Sequence, residues 1–408
     1  MDKITSEYRL PKSIVPVNYD VILKLDADAF TTNNFQGEVN ITLNVLKRTD
    51  QILIHSKNLD IISVNLRKPN ENFNLTHRSY MSDALTDILT ITSENQLSPG
   101  FYYLDITYNA TFNPYDMHGF YKSTYPNEEG KTEFLATTQF EVTNARRAFP
   151  CFDEPSFKAT FNLSVVYPKG YNVIANTLQN GNVNVTSENL EIVNFKTTPR
   201  MSTYLNAFVI SNFTCDTVET KLPFRVCSRA EAANERKYAL DISPKLMNYL
   251  ENFTGIPYNV SGIGKMDQVA IPDFSAGAME NWGLITYRES TLLWDPNESS
   301  NLYKQRVASV IAHEFAHMWF GNLVTLKWWS DVYLSEGFAR YFQYFATDRI
   351  ETEWEMDKQF VVEQVHSALF TDSFSASEAL SSPVTTPKEI SSKFDLISYN
   401  KGTHRNHN

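Results

Sequence analysis

Apolar and polar residues alternate along four stretches of the first half of the chain. They are Tyr19, Val21, Leu23 and Leu25; Val39, Ile41, Leu43 and Val45; Leu104, Ile106, Tyr108, Ala110 and Phe112; and Ala159, Phe161, Leu163 and Val165. A period of two puts every second side chain on one face, so each stretch predicts a strand buried on one side. Short strands with turn residues between them, and almost no helical period, predict an antiparallel sandwich or saddle over residues 1–214. From about 215 the period changes. Ala230 to Phe253 reads as a helix, with Ala233, Tyr238, Leu240, Leu246 and Leu250 among its apolar positions, and Pro244 is expected to kink or divide it. Short strands are expected from Asp267 to Ile271 and from Gly283 to Tyr287. Two helical patterns follow. One starts after the candidate caps Ser299 and Ser300, runs through Val307, Val310, Ile311, Phe315, Met318 and Trp319, and stops at Gly321-Asn322. The other begins near Asp331 and continues through Phe338, Arg340, Tyr341 and Phe345. Residues 215–408 therefore predict an α+β domain, and 408 residues are too many for one domain of usual size.

The last two helices carry the chemistry. In His313-Glu314-Phe315-Ala316-His317 two imidazoles lie four residues apart on one helix face, where their nitrogens converge on a single metal. Glu314 then points towards the open coordination position. After eighteen intervening residues comes Glu336, which the second helix, packed antiparallel on the first, delivers as a carboxylate ligand. Two histidines and one carboxylate leave the fourth tetrahedral position to water, the catalytic pattern, because structural zinc sites are closed by four protein ligands. One Zn2+ per chain is expected on His313, His317 and Glu336. It lowers the pKa of its water towards ~7, and Glu314 takes the proton as general base and passes it to a leaving amine.

The run HEFAHMWFGNLVTLKWWSDVYLSEGFA resembles the metal-binding segment of the M1 family of zinc aminopeptidases, the gluzincins. AIPDFSAGAMENWGLITYRE resembles their substrate-amine segment, and the similarity extends from about Tyr8 to Gly402, with the aminopeptidase N and puromycin-sensitive branches the most alike. The resemblance implies an N-terminal β-sandwich or saddle domain followed by a thermolysin-like α+β zinc metallopeptidase domain that is C-terminally incomplete. It implies substrates that are peptides with a free N-terminus. In Gly277-Ala278-Met279-Glu280-Asn281 it assigns Glu280 to the substrate's α-ammonium, and Glu141, with Gln139 beside it, as the second acidic contact. Extended backbone from Ala276 to Met279 is suited to take the substrate as an added strand. Ala276 resembles the small residue of broad-specificity members, which implies a roomy first pocket for neutral or basic side chains. Tyr399, in Asp395-Leu396-Ile397-Ser398-Tyr399-Asn400-Lys401-Gly402, matches the family's transition-state tyrosine, a donor of a kind whose loss costs ~3 kcal/mol. After Gly402 the chain departs from the family: a polar run from Thr403 to Asn408 stands where an apolar helix and a helical domain are expected. The expectation is a zinc aminopeptidase; the alternative is a catalytically inactive truncated form that acts by binding or interfering. An epoxide hydrolase is disfavoured by Gly277-Ala278 in place of two glycines, and an unrestricted endopeptidase by Glu280 and Glu141.

Composition narrows the partners. A net charge of -11 and a pI near 5.3, with no basic run and no Gly-rich phosphate loop, exclude nucleic acid. No apolar run approaches the ~20 residues of a membrane span, and the start MDKITSEYRLPKS lacks the core of a signal peptide. Nine N-x-S/T sequons (Asn40, Asn74, Asn109, Asn162, Asn184, Asn212, Asn252, Asn259 and Asn297) point instead to a glycoprotein of the plasma membrane or the extracellular space, against about six expected by chance. The signals for compartment conflict, with the cytoplasm as the alternative. Asn40, Asn109 and Asn162 fall on the polar phase of the expected strands. Of the three cysteines, Cys215 and Cys227 either pair across a hairpin around Lys221-Leu222-Pro223 or remain buried thiols beside Cys151. Asp331 is expected as a cap or solvated residue before an orienting partner of a ligand histidine. Arg146, Arg147, Asp153 and Glu154 read as turn and ion-pair structure. His55, His77, His118, His366, His404 and His407 have no ligand spacing.

Overall fold

A computed structural model describes residues 7–69, 74–75, 77–112 and 116–403. The side chains of Asn74 and His77, and His404 and His407 altogether, lie outside the described residues. The chain divides into two compact units, one of residues 1–124 and 133–212, the other of residues 125–132 and 213–408.

The first unit is built of β-sheets. The largest has eight strands, in spatial order Asn184–Ser187, Leu190–Asn194, Thr160–Pro168, Ile14–Lys24, Asn34–Val45, Gly100–Thr111, Asp60–Arg67 and Asn74–Leu75. Every apolar residue of the four alternating stretches is buried, so the period of two reports the core face correctly. One pairing departs from the antiparallel expectation: Ile14–Lys24 runs parallel to Thr160–Pro168, Tyr19 opposite Phe161, and their rings stack at 4.8 Å. Gly37 lies opposite Tyr108, whose ring occupies the place of a Cβ at 2.1 Å. The buried Tyr108 hydroxyl donates to the Ala148 carbonyl at 2.7 Å.

The polar residues that sequence reading set aside are structural. Buried Arg146 donates to Asp153 at 3.0 Å and pairs with Asp87 at 3.5 Å; Arg147 pairs with Asp116, and Arg9 with Glu154. His55 is a core residue, His118 bonds Asp116, and His366 is exposed. Asn40 and Asn162 do lie on the outer face of the large sheet, but their amides bond Asp105 and Asp20 there.

The second unit holds a five-stranded sheet ordered Thr214–Val218, Phe224–Ser228, Met266–Ile271, Leu284–Arg288, Ala278–Met279. The middle three strands are parallel and the two outer ones antiparallel to their neighbours. Cys215 and Cys227 stand opposite each other in the first hairpin and form a disulfide, which settles that alternative; Cys151 is a buried free thiol. Three helices matter for the site: α1 (Lys237–Thr254), α2 (Asn301–Ala316) and α3 (Tyr333–Ile350). None is long and apolar enough to cross a membrane.

Two helix expectations are corrected. The expected helix from Ala230 is a 3-10 segment, Ala230–Glu235, followed by α1, and α1 continues unbroken through Pro244. The division falls at Arg236, whose buried guanidinium donates to the Thr214 hydroxyl at 2.6 Å and the Ser228 hydroxyl at 2.8 Å, tying the chain to the sheet at that point. Pro244 is carried because Leu240, Ile242, Leu246, Met247 and Leu250 bury the helix on both sides of it, against a proline cost of ~3 kcal/mol. Helix α2 starts after Ser300 as expected, without a side-chain cap bond, but ends at Ala316 and not at Gly321-Asn322.

Candidate active site

His313 sits in the last turn of α2, and His317 is the residue that ends it, still with helical backbone angles. The four-residue spacing therefore survives the early stop. Glu336 lies in the first turn of α3, where the positive end of the helix favours a carboxylate. Helices α2 and α3 pack directly on one another and bring the three together. His313 Nε2 is 3.2 Å from Glu336 Oε2 and 3.1 Å from His317 Nε2, which lies 3.5 Å from the same Glu336 oxygen.

These distances test the fit of a metal. For Zn–N bonds of about 2.0–2.1 Å, tetrahedral ligands are separated by about 3.3–3.4 Å. The triangle in this protein, 3.1 by 3.2 by 3.5 Å, is of that size. Three acceptor atoms facing one another in a buried site need a cation between them. The electrostatics agree. Burial and the adjacent His317 push the His313 imidazole down to about 4, leaving it neutral with a free lone pair. Burial acts the same way on His317, but the carboxylates of Glu280, Glu336 and Glu314 outweigh it and hold that imidazole well above its ordinary value. Glu336 is held below the usual carboxylate range, the two histidines outweighing its burial. The site stabilises positive charge at its centre.

The far side of His317 fixes its orientation. Its Nδ1 donates to the Phe320 carbonyl at 3.0 Å, with the Ser335 hydroxyl 3.2 Å away, so Nε2 presents its lone pair to the triad. Gly321 permits this turn: its φ is +140°, and a Cβ there would approach Ser335 Oγ to 2.7 Å and His317 Nδ1 to 3.3 Å. Asp331 takes no part, since it accepts from Ser381 in the short 3-10 segment Trp329–Asp331.

Around the triad stand three further expected residues. Glu280 follows the edge strand Ala278–Met279, and its Oε1 lies 3.9 Å from His317 Nδ1. Its backbone carbonyl accepts from Asn322 Nδ2 at 2.9 Å, while Asn281 Nδ2 donates to Thr286 Oγ1 at 3.1 Å. Glu314 lies close by, and burial pushes both the Glu280 and the Glu314 carboxyl up, with His317 opposing. Tyr399 stacks near His313, ring centroids 6.2 Å apart, and the Arg340 guanidinium covers its ring at 5.1 Å. Its segment comes close because Gly337 of α3 meets Gly402: a Cβ on Gly337 would lie 2.8 Å from the Gly402 carbonyl carbon. Gly277 carries its carbonyl to Arg288 N at 2.9 Å and Thr291 Oγ1 at 2.6 Å, and Ala276 precedes it. Gln139 is buried at the end of Thr132–Gln139 and Glu141 is half-buried just beyond, both in the first unit.

Sequence reasoning missed Ser335, Gly321, Asn322, Arg340 and the Gly337–Gly402 approach. Ser335 and Gly337 flank Glu336, and that adjacency was the one signal available.

Comparison with known proteins agrees with this arrangement. Residues 15–205 match the Peptidase M1 N-terminal domain, and residues 238–407 match the Peptidase family M1 domain. Aminopeptidase N of Oryctolagus cuniculus is 39% identical over 415 residues, covering 97% of this chain and 42% of the relative. Glutamyl aminopeptidase of Sus scrofa is 37% identical and endoplasmic reticulum aminopeptidase 1 of Rattus norvegicus 38%, each over 97% of this chain and 42% of the relative. The chain thus spans about 42% of the length of these relatives. With both M1 domains matched in order along it, the chain belongs to peptidase family M1.

Proposed function

We propose that this chain carries the chemistry of a zinc aminopeptidase, removing single residues from the free N-terminus of peptides. The observation that supports it best is the gathering of His313, His317 and Glu336 into a triangle of zinc-ligand size, with Glu314 and Glu280 beside it. Zinc held by those three residues would supply Lewis acidity and a water of lowered pKa. Glu314, raised by burial, accepts a proton from the attacking water and delivers it to the leaving amine. Glu280 binds the substrate's α-ammonium, with Glu141 and Gln139 as its assigned partners by family resemblance, and so sets where the chain is cut. The strand Ala278–Met279, last in its sheet, takes the peptide as an added strand, with Ala276 at the first side-chain pocket. Tyr399, placed against His313, donates to the carbonyl oxygen as charge develops on it.

A second reading, binding without turnover, is favoured by apolar side chains that stand in solvent: Leu369 is 63% exposed, Phe370 69% and Phe374 55%. Zinc content and aminoacyl-anilide turnover of the purified chain decide between the two. The expected result is one zinc per chain and chelator-sensitive turnover that falls about 10²–10⁴-fold in Glu314→Gln with zinc retained. Bound zinc without turnover rejects catalysis and leaves the binding reading. Parallel alanyl, leucyl, arginyl and glutamyl substrates test the pocket at Ala276, and a strong glutamyl preference sinks its assignment.

A further inference from the structure

Arg340 has no duty in the reaction as proposed, yet its guanidinium lies against a residue that has one. It stands on α3 four positions beyond Glu336, so the two share a helix face one turn apart. Its Cζ is 5.1 Å from the centre of the Tyr399 ring, within the range of a cation–π contact. Among the described residues Arg340 makes no ion pair, and its Nε is buried without a hydrogen-bond partner. The charge is therefore not committed to an acid. Arg340 Nη1 donates to Gln343 Oε1 at 2.9 Å, and Gln343 Nε2 makes a long contact of 3.5 Å with Ser309 Oγ, one turn before His313 on α2. The guanidinium is tied in this way to both helices that carry metal ligands.

Tyr399 needs such a tie. It sits half-buried in the single π-helical turn Ile397–Lys401, and 6.2 Å between ring centroids is a loose stack on His313. The Gly337–Gly402 contact brings the backbone of the segment close, but it does not set where the ring points. A phenol stabilises developing charge only when its oxygen is held within about 0.5 Å of the productive place. A cation on the ring face restrains the ring, and it draws electron density from the phenol, which strengthens the hydroxyl as a donor.

We propose that Arg340 is a positioning residue for Tyr399, its guanidinium holding the ring beside His313 so that the hydroxyl meets the oxygen on which charge develops. This rests on the peptidase reading and deepens it. The Arg340 charge also acts on His313 and Glu314. That effect does not pass through the phenol hydroxyl, so it persists when Tyr399 is replaced by phenylalanine, and the two roles separate.

The test is a double-mutant cycle on the zinc-loaded full chain. Arg340→Met keeps most of the side chain without its charge, and Tyr399→Phe keeps the ring without its hydroxyl. On a leucyl anilide, Arg340→Met should lower kcat about tenfold with little change in KM, and Arg340→Lys should recover part of the loss. In the Tyr399→Phe protein the same Arg340→Met change should cost less than about threefold. An equal loss in both backgrounds, or a lysine variant no better than the methionine one, overturns the proposal. Binding gives a readout without turnover. The phosphonic acid analogue of leucine, whose tetrahedral oxygens stand in for the transition state, should lose about tenfold in affinity in Arg340→Met, and leucinamide much less. Equal losses for the two ligands overturn the proposal and leave the peptidase reading standing. A zinc-loaded parent that neither turns over the anilide nor binds either ligand overturns both.

Discussion

Gly337→Ala sets two effects of opposite sign against each other. Gly337 lies within α3, next to Glu336, and alanine at an ordinary helical position is worth up to ~1 kcal/mol over glycine. Here the new methyl would lie 2.8 Å from the Gly402 carbonyl carbon and 3.1 Å from its Cα and oxygen. Ordinary carbon contacts begin near 3.5 Å. The obstacle is backbone, so no rotamer change relieves it, and α3 must move from the Gly402 segment by roughly 0.5–1 Å. Overpacking costs about 1–3 kcal/mol, and a backbone obstacle puts this case in the upper part of that range, about 2–3 kcal/mol, leaving a net loss of roughly 1–2 kcal/mol after the propensity gain. In a unit of this size that is a Tm lower by about 2–8 °C. The same movement carries Tyr399 away from His313 and shifts Glu336, so zinc affinity and kcat should fall together. Gly402→Ala is the control: its Cβ would approach Gly337 Cα and Tyr333 Cβ only to 3.3 Å, and a smaller loss is expected. Calorimetry, zinc titration and aminoacyl-anilide turnover read all of this. A Gly337→Ala protein as stable as its parent, or more so, refutes the claim that close backbone contact places Tyr399.

Ser335→Ala removes the hydroxyl contact on His317 Nδ1 and leaves the Phe320 carbonyl, so zinc affinity should fall about tenfold with little change in Tm; no change would show that the hydroxyl is not needed to orient the ring. Asp267 is buried, which pushes its carboxyl up, but Lys265 and Arg225 outweigh burial and hold it below the usual range. Its contribution to stability is therefore complete above the unfolded value of about 4 and lost as pH falls through the lower folded value. Asp267→Asn should cost about 3–5 kcal/mol at neutral pH by removing the carboxylate to which buried Lys265 donates, and should flatten the acid limb of a stability–pH curve from urea denaturation. Replacing Cys215 and Cys227 together by serine opens a loop of sequence separation 12 and should cost about 3 kcal/mol, and a reductant should cost the parent the same and the variant nothing.

What the sequence made legible follows range. Alternation in Tyr19 to Leu25 or Val39 to Val45 is set within a few residues, and each of those side chains is buried as the period requires. The partner of Ile14–Lys24 is not local. It lies about 140 residues on, and a strand's own period carries no information on whether a neighbour runs parallel or antiparallel. The Cys215–Cys227 pair was legible only as one of two outcomes, because it depends on the hairpin register that sets them opposite. Pro244 does not divide α1 because proline's cost is local, whereas the burial that outweighs it comes from α2, α3 and the sheet packed against α1.

The site divides the same way. The spacing of His313 and His317 is helical arithmetic, and it holds even though α2 ends one residue before the second histidine. Holding those imidazoles at ligand distance from Glu336 is a different task, done by Gly321 beneath His317 and by Gly337 against Gly402. A glycine in a helix or turn looks like a neutral residue or a stop signal until the atoms opposite it are known. The same reasoning separates Glu280 from Glu314. Read along the chain, one is an amine anchor and the other a base, with 33 residues between them. In space they are neighbours around His317, and each has one buried oxygen without a hydrogen-bond partner. A carboxylate that must bind a substrate's ammonium and a carboxylate that must take a proton beside it are therefore coupled. Occupancy of one by any cation changes the basicity of the other, so substrate charge and base strength in this site cannot be tuned independently.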